Sequence, residues 1–201
     1  MDAHGWDERY AATEQVWSST PNQFVATELA GLDAACALDL ACGEGRNAIW
    51  LAGRGWQVTA IDYSEVAVER GRRLAGELPI DWQVGDALTA DLPTVDLVVL
   101  AYLQLPADER RTAVRRSFAS LTRGGTLFVV AHDATNLTEG TGGPQDPAVL
   151  YTAEDVVSDL EGEPFDVVRA ERVPRVVSAD DDHGGTQDST AWDALVRLVR
   201  R

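Results

Sequence analysis

The sequence predicts an α/β fold built on a mostly parallel sheet with helices on both faces, and three observations predict it. From residue 35 onward, short β-type apolar runs alternate with longer segments of helical spacing, the pattern of successive βαβ units. The run Asp96-Leu97-Val98-Val99-Leu100 shows no polar alternation, as a central parallel strand covered on both faces requires. Leu38-Asp39-Leu40-Ala41-Cys42-Gly43-Glu44-Gly45-Arg46-Asn47-Ala48 reads as a strand ending in a glycine-rich turn that opens a helix.

In chain order, residues 6–29 read as two short helices separated by Ser19-Thr20-Pro21-Asn22, with a capped start to the second. Strands are predicted over 35–40, 57–61, 80–84, 95–101 and 126–131. Helices fit between them over 46–53, 64–78 with Ser64 as N-cap, and 108–121, where Asp108 and Glu109 suit the positive end of the helix dipole. Gly124-Gly125 is expected to stop that helix. The stretch after Asp133, through Gly140-Thr141-Gly142-Gly143-Pro144, is too long for a tight turn and reads as a functional loop. Thr152 caps a short helix, residues 165–177 and 190–200 form two late strands, and 178–189 is an acidic hairpin tip. The 201 residues suffice for one ordinary core and are few for two, so a single domain over 1–201 is expected.

Composition removes several function classes. Thirty-three acidic residues against 17 basic ones give a formal charge of -16, which disfavours nucleic acid and anionic membranes as partners. All 17 basic residues are arginine, so a Schiff-base lysine, a P-loop lysine and a Tyr/Lys dehydrogenase pair are excluded. Cys36 and Cys42 make no disulfide framework, and no Cys/His cluster has zinc spacing, so no metal is expected. The N-terminus lacks a basic, then apolar, leader, and no apolar run reaches the roughly 18 residues of a membrane helix. A cytoplasmic protein is the expectation.

The glycine turn is the strongest functional signal. Gly43 and Gly45 let backbone approach a ligand closely, and the helix start beyond them presents free N–H donors. Asp62 follows at about the 20-residue spacing of a ribose-binding acid. A nucleoside-bearing cofactor is implied, and three features favour S-adenosylmethionine over NAD. Glu44 stands inside the turn, where a pyrophosphate would be repelled. Asp39 precedes the turn, where its carboxylate can serve an ammonium group. Gly85-Asp86-Ala87 brings a further acid to the same sheet edge, within reach of an adenine amino group. An NAD-dependent oxidoreductase and a non-catalytic adenosyl-cofactor-binding protein remain the alternative readings of these residues.

Together, Trp6-Asp7-Glu8-Arg9-Tyr10, residues 38–47, Ile61-Asp62-Tyr63-Ser64, Gly85-Asp86-Ala87, residues 96–106 and residues 121–133 resemble the class I S-adenosylmethionine-dependent methyltransferases. The likeness is to the small single-domain group of tellurite-resistance and thiopurine methyltransferases. It implies a Rossmann-like three-layer αβα sandwich with a seven-stranded sheet and a final antiparallel strand. It also implies a cofactor across Gly43, Glu44 and Gly45, Asp62 on the ribose hydroxyls with Tyr63 and Ser64 beside it, and Asp86 with Ala87 near the adenine. Ala101, Tyr102 and Leu103 would face the methionine portion and the substrate, and residues 1–30 would form a helical lid in which Tyr10 and Trp17 close the crevice. The chain departs from the family at Leu100-Ala101-Tyr102-Leu103-Gln104-Leu105-Pro106, which is not the Asn/Asp-Pro-Pro-Tyr turn that grips a planar amino nitrogen, and at Gln104, where many small members carry histidine.

The catalytic candidates are His132, as general base, and Tyr102. Arg46 is a candidate to hold the cofactor carboxylate through its planar fork or to pair with a neighbouring acid. Cys42 is read as a packing residue, Asp180-Asp181-Asp182-His183 as solvated chain, and Arg110, Arg111, Arg115 and Arg116 as a solvated helix face. The expected reaction is in-line transfer of a methyl group to a small-molecule thiol, chalcogen or oxygen nucleophile, resting mainly on proximity and alignment.

Overall fold

The computed structural model describes residues 3–12, 20–177 and 189–201. Trp17, the Asp180-Asp181-Asp182-His183 segment and the tip between the last two strands lie outside the described residues. Among the described residues the chain runs α1 (Ala3–Ala11), α2 (Gln23–Leu29), β1 (Cys36–Leu40), α3 (Arg46–Ala52), β2 (Gln57–Asp62), α4 (Glu65–Ala75), β3 (Ile80–Val84) and β4 (Val95–Ala101). It continues through α5 (Ala107–Ala119), β5 (Leu121–His132), α6 (Asn136–Glu139), a 3₁₀ turn (Pro147–Val149), α7 (Ala153–Asp159), β6 (Phe165–Val177) and β7 (Ser189–Arg200).

The strands form one seven-stranded sheet in the order β3-β2-β1-β4-β5-β7-β6. Strands β1 to β5 are parallel, and β7 runs antiparallel between β5 and β6. The strand order turns back between β1 and β4, which opens a crevice at the carboxyl edge of the sheet.

Two cores explain the unbroken apolar strands. Leu38, Leu40, Val98, Leu100, Leu127 and Val129 pack on one face with Phe118 of α5, Val156 of α7 and Leu160 just after it. Ala37, Leu97, Val99, Phe128 and Val130 pack on the other with Val25, Ala48, Leu51 and Val68 of α2, α3 and α4. Successive residues thus enter opposite cores, and neither face tolerates a polar repeat.

Caps stand where the sequence puts them. Asn22 accepts from the N–H groups of Phe24 and Val25, Ser64 from Ala67, and Thr152 shares a reciprocal capping box with Asp155.

Four sequence expectations are corrected. Helix α5 ends at Ala119, and Gly124-Gly125 lies within β5, because Leu121 already pairs with Val95 and the register then shifts. Helix α4 ends at Ala75 because Gly76 takes φ 58°. The loop after Asp133 contains α6, whose Asn136 is buried, donates through Nδ2 to the carbonyl of Gly142 at 2.9 Å and accepts from the N–H of Trp192 at 2.7 Å. Arg110 is not on a solvated face; it is buried and forks onto Asp159 through Nε at 2.7 Å and Nη2 at 3.3 Å.

Candidate functional site

The crevice has a first wall made of the glycine turn and two buried acids. Gly43 and Gly45 adopt φ 56° and 75°. A side chain on Gly45 would also strike the indole of Trp82, 2.1 Å from an added Cβ, and the same indole lies 2.5 Å from an added Cβ on Gly71 of α4. Trp82 therefore packs beneath the turn, and two glycines make room for it.

Asp62, at the end of β2, accepts from Gly43 N–H at 2.7 Å through one oxygen and from Ser64 N–H at 2.9 Å through the other. Burial raises its pKa, opposed by those N–H groups and reinforced by Asp7. Asp39 is fully buried and accepts from Ala48 N–H at 3.0 Å through Oδ2, whereas its Oδ1 has no hydrogen-bond partner. Burial pushes its pKa up to about 7 against the pull of the Ala48 N–H and Arg46, with Asp62 adding to the rise. Burial lowers the pKa of Arg46, while Tyr102 and Asp39 support its charge. The Cys42 thiol is raised by burial and by Asp62 and Asp39, which leaves it inert.

The second wall is a polar network at the ends of β4 and β5. His132 faces Asp193 across the β5–β7 ladder, so the two side chains share one side of the sheet. Asp193 is fully buried; its Oδ2 accepts from the Tyr102 hydroxyl at 2.8 Å and from Arg175 Nε at 2.7 Å, and its Oδ1 lies 3.5 Å from His132 Nδ1. Asn22 Nδ2 donates to the Tyr102 oxygen at 3.2 Å, and Asn22 N–H donates to Asn47 Oδ1, tying the start of α2 to α3 and to this wall. Tyr102 itself takes φ 61° as the chain leaves β4. Burial and Asp193 raise its phenol above the ordinary value, and its hydroxyl donates to Asp193. Burial lowers the His132 pKa, Asp193 opposes this, and Arg175 adds to it. Gln104 bridges the wall to the following loop, accepting from His132 N–H at 2.7 Å and donating to the Val149 carbonyl at 2.5 Å.

The other sequence candidates sit around these walls. Glu44 is buried but turns toward α4, where Arg70 Nη1 meets it at 2.6 Å; its charge is neutralised there, so it is not the repulsive group expected inside the turn. Arg70 also donates to the Tyr10 carbonyl, and Tyr10 is buried against Trp6. Ser64 is fully buried, with its hydroxyl capping α4 and donating to Asp7 of α1 at 2.5 Å. Asp86 is exposed and accepts from Leu88 N–H in its own turn, and Ala87 joins the core. Ala101, Leu103 and Tyr63 are half-buried, and the Leu103 carbonyl accepts from the Tyr151 hydroxyl at 3.0 Å.

Asp193, Arg175 and Trp82 were not singled out by sequence reasoning, and Asn22 entered only as part of the capped break before α2. The only local signals for them are an acid inside an apolar strand and a mid-helix glycine at 71. A separate concavity of about 500 Å³ lies at the amino edge of the sheet, lined by residues such as Gln57, Pro79 and Pro93, and has no comparable convergence of polar groups.

Residues 37–125 match the methyltransferase-domain family. Over that stretch the chain is similar to a methyltransferase domain. The matched stretch runs from β1 into the start of β5 and includes the glycine turn and Asp62. An uncharacterized methyltransferase of Mycobacterium tuberculosis is 36% identical over 107 residues, which are 52% of this chain and 54% of that protein. The chain thus spans about half the length of the curated relatives it first matches.

Two solved structures share the fold. The N-methyltransferase NodS of Bradyrhizobium japonicum, in complex with S-adenosyl-L-homocysteine, superposes with TM-score 0.73 at 21% identity over 100% of this chain and 99% of that one. TehB of Haemophilus influenzae superposes with TM-score 0.73 at 16% identity over 90% of this chain and 63% of that one. Among the described residues, no helix is long and apolar enough to cross a membrane, and no group of three or more His, Cys, Asp or Glu side chains could hold a metal ion.

Proposed function

We propose that this protein is an S-adenosylmethionine-dependent methyltransferase acting on a small-molecule nucleophile. The observation that carries the reading is Asp39 Oδ1, a buried carboxylate oxygen beneath the glycine turn without a hydrogen-bond partner. An acid so placed calls for a cationic donor, and the ammonium group of the cofactor is one. The residues present fit the rest of that molecule. The Gly43–Gly45 backbone allows close approach, Asp62 retains lone pairs for the ribose hydroxyls, Arg46 suits the carboxylate, and Asp86 stands at the edge for the adenine amino group. Tyr10 and Tyr63 flank this site, and helices α1 and α2 act as its lid.

When bound, the cofactor supplies a methyl group activated by a sulfonium charge. The chain's own residues hold donor and acceptor in line and keep water out, with His132 available near neutrality as a proton acceptor. The acceptor class is a thiol, chalcogen or oxygen nucleophile. Nucleic acid is disfavoured by the charge of -16 and by the absence of an Asn/Asp-Pro-Pro-Tyr turn after β4.

The test is transfer of labelled methyl from S-adenosylmethionine to a panel of thiols, chalcogen oxyanions and phenols, with cofactor affinity measured alongside for Asp39→Asn. Labelled product, and weaker S-adenosylhomocysteine binding in the variant at pH 8, support the proposal. A variant that binds as well as the parent at pH 8 removes the observation on which it stands.

A further inference from the structure

Two buried atoms in the second wall lack hydrogen-bond partners, and they face each other. They are His132 Nδ1 and Asp193 Oδ1, 3.5 Å apart. We propose that Asp193 is the positioning residue that fixes His132 as proton acceptor in the methyl-accepting pocket, and that the acceptor is therefore a hydroxyl compound, an alcohol or phenol that enters protonated. This rests on the methyltransferase reading above and narrows its acceptor class.

A neutral imidazole carries one proton, and its placement decides which nitrogen can act. On Nδ1 the proton points at Asp193 Oδ1, and a small turn of the ring brings the pair to hydrogen-bond distance, which satisfies both orphaned atoms. That tautomer leaves the lone pair on Nε2. Nδ1 is the buried nitrogen, while the side chain as a whole keeps 14% exposure, and in the proposed arrangement Nε2 turns toward the acceptor.

The surroundings hold this arrangement. Asp193 cannot swing away, because its other oxygen is engaged by the Tyr102 hydroxyl and Arg175 Nε. The ring is packed between Tyr102, with centroids 5.0 Å apart, and the backbone of Gly143, where an added Cβ would lie 2.8 Å from ring carbons. The titratable groups facing it are Asp193 from β7, Arg175 from β6 and Tyr102 after β4. Arg175 disfavours a second proton at rest, and Asp193 supports the imidazolium once it forms.

The step balances simply. The acceptor O–H bond breaks, its proton passes to Nε2, and the bonding pair stays on oxygen, which becomes the nucleophile. A thiol or chalcogen acid that is already ionised near neutral pH gains nothing from such a group.

The test uses the full chain, which has three histidines, in a His4→Gln/His183→Gln background so that a single imidazole is read. Long-range ¹H–¹⁵N NMR should show the proton on Nδ1 and a titration below the ordinary histidine value of about 6.5. Asp193→Asn should lower that titration further and change the tautomer, and Arg175→Gln should raise it. The second variant keeps the test decisive if the first does not fold. A wild-type proton on Nε2, or Asp193→Asn or Arg175→Gln leaving the titration unmoved, overturns the proposal.

With labelled S-adenosylmethionine, phenol and catechol are compared with 4-nitrothiophenol, a thiol that is ionised at pH 7. His132→Asn should cut transfer to the phenols by about 100-fold or more at pH 7, with relief at higher pH as the phenol ionises unaided. Transfer confined to the thiol, or phenol transfer unaffected by His132→Asn, overturns the acceptor class. Failure of the underlying reading is distinguishable, since a wild type that binds no S-adenosylhomocysteine leaves the tautomer result standing.

Discussion

The two walls of the crevice are built in opposite ways. The wall of β1, β2 and the glycine turn uses residues close in sequence: Asp39, Gly43, Gly45 and Asp62 fall within one βαβ unit and are tied by Gly43 N–H to Asp62 and Ala48 N–H to Asp39. The facing wall draws Asn22, Tyr102, His132, Arg175 and Asp193 from five separate segments; Tyr102, His132 and Arg175 meet at the Asp193 carboxylate, and Asn22 reaches it through the Tyr102 hydroxyl. The first wall is a local motif that any such sequence can carry. The second exists only once β7 has inserted between β5 and β6, so it is where chains sharing the first wall can differ.

Four substitutions sharpen that contrast. The largest effect belongs to Gly45→Val, which combines a strained positive φ, of order 1–3 kcal/mol, with a collision against Trp82 costing about 1–3 kcal/mol. A loss of about 3 kcal/mol or more in urea unfolding is expected, and a variant as stable as the parent would show that the turn is not rigidly packed.

Asp62→Ala comes next. It should weaken S-adenosylhomocysteine binding by roughly 1.5–3 kcal/mol through lost charge-assisted hydrogen bonds, read by calorimetry.

Asp39→Asn is expected to act through pH. Burial, opposed by the Ala48 N–H and Arg46 and reinforced by Asp62, raises the folded-state pKa of Asp39 from 3.8 to about 7. The folded protein therefore binds the proton more tightly than the unfolded chain, and the associated stability is full below 3.8 and lost as pH rises through about 7. The variant lacks this slope, so its unfolding midpoint should gain on the parent between pH 5 and pH 8. Cofactor affinity in the parent should fall as pH drops below about 7, where the carboxylate takes up its proton, and stay flat in the variant.

The smallest effect belongs to Tyr102→Phe. It removes one hydrogen bond to Asp193 and one from Asn22, for about 1 kcal/mol of stability, and should disturb cofactor affinity less than Asp62→Ala does.

The same contrast decides what the sequence could tell. The parallel strands, the Asn22, Ser64 and Thr152 caps and the glycine turn are legible because each is specified by neighbours within a few residues. Gly124-Gly125 misled because a glycine pair reads as a helix stop, while the pairing of Leu121 with Val95 is a tertiary fact. Glu44 misled for a similar reason: its position in the turn is local, but Arg70, which neutralises it, lies on the next helix. His132 could be singled out as a titratable residue at a strand end. Asp193 and Arg175 could not, since their meeting depends on an antiparallel register that periodicity does not reveal.

The central claim is that the first wall holds an adenosyl cofactor with a cationic amino-acid end. The most direct measurement is calorimetric titration of the purified wild-type chain with S-adenosylhomocysteine and, separately, with NADH. Binding of the first with no heat from the second is the predicted result. Binding of NADH alone would make Gly43 to Ala48 a dinucleotide turn and contradict the account.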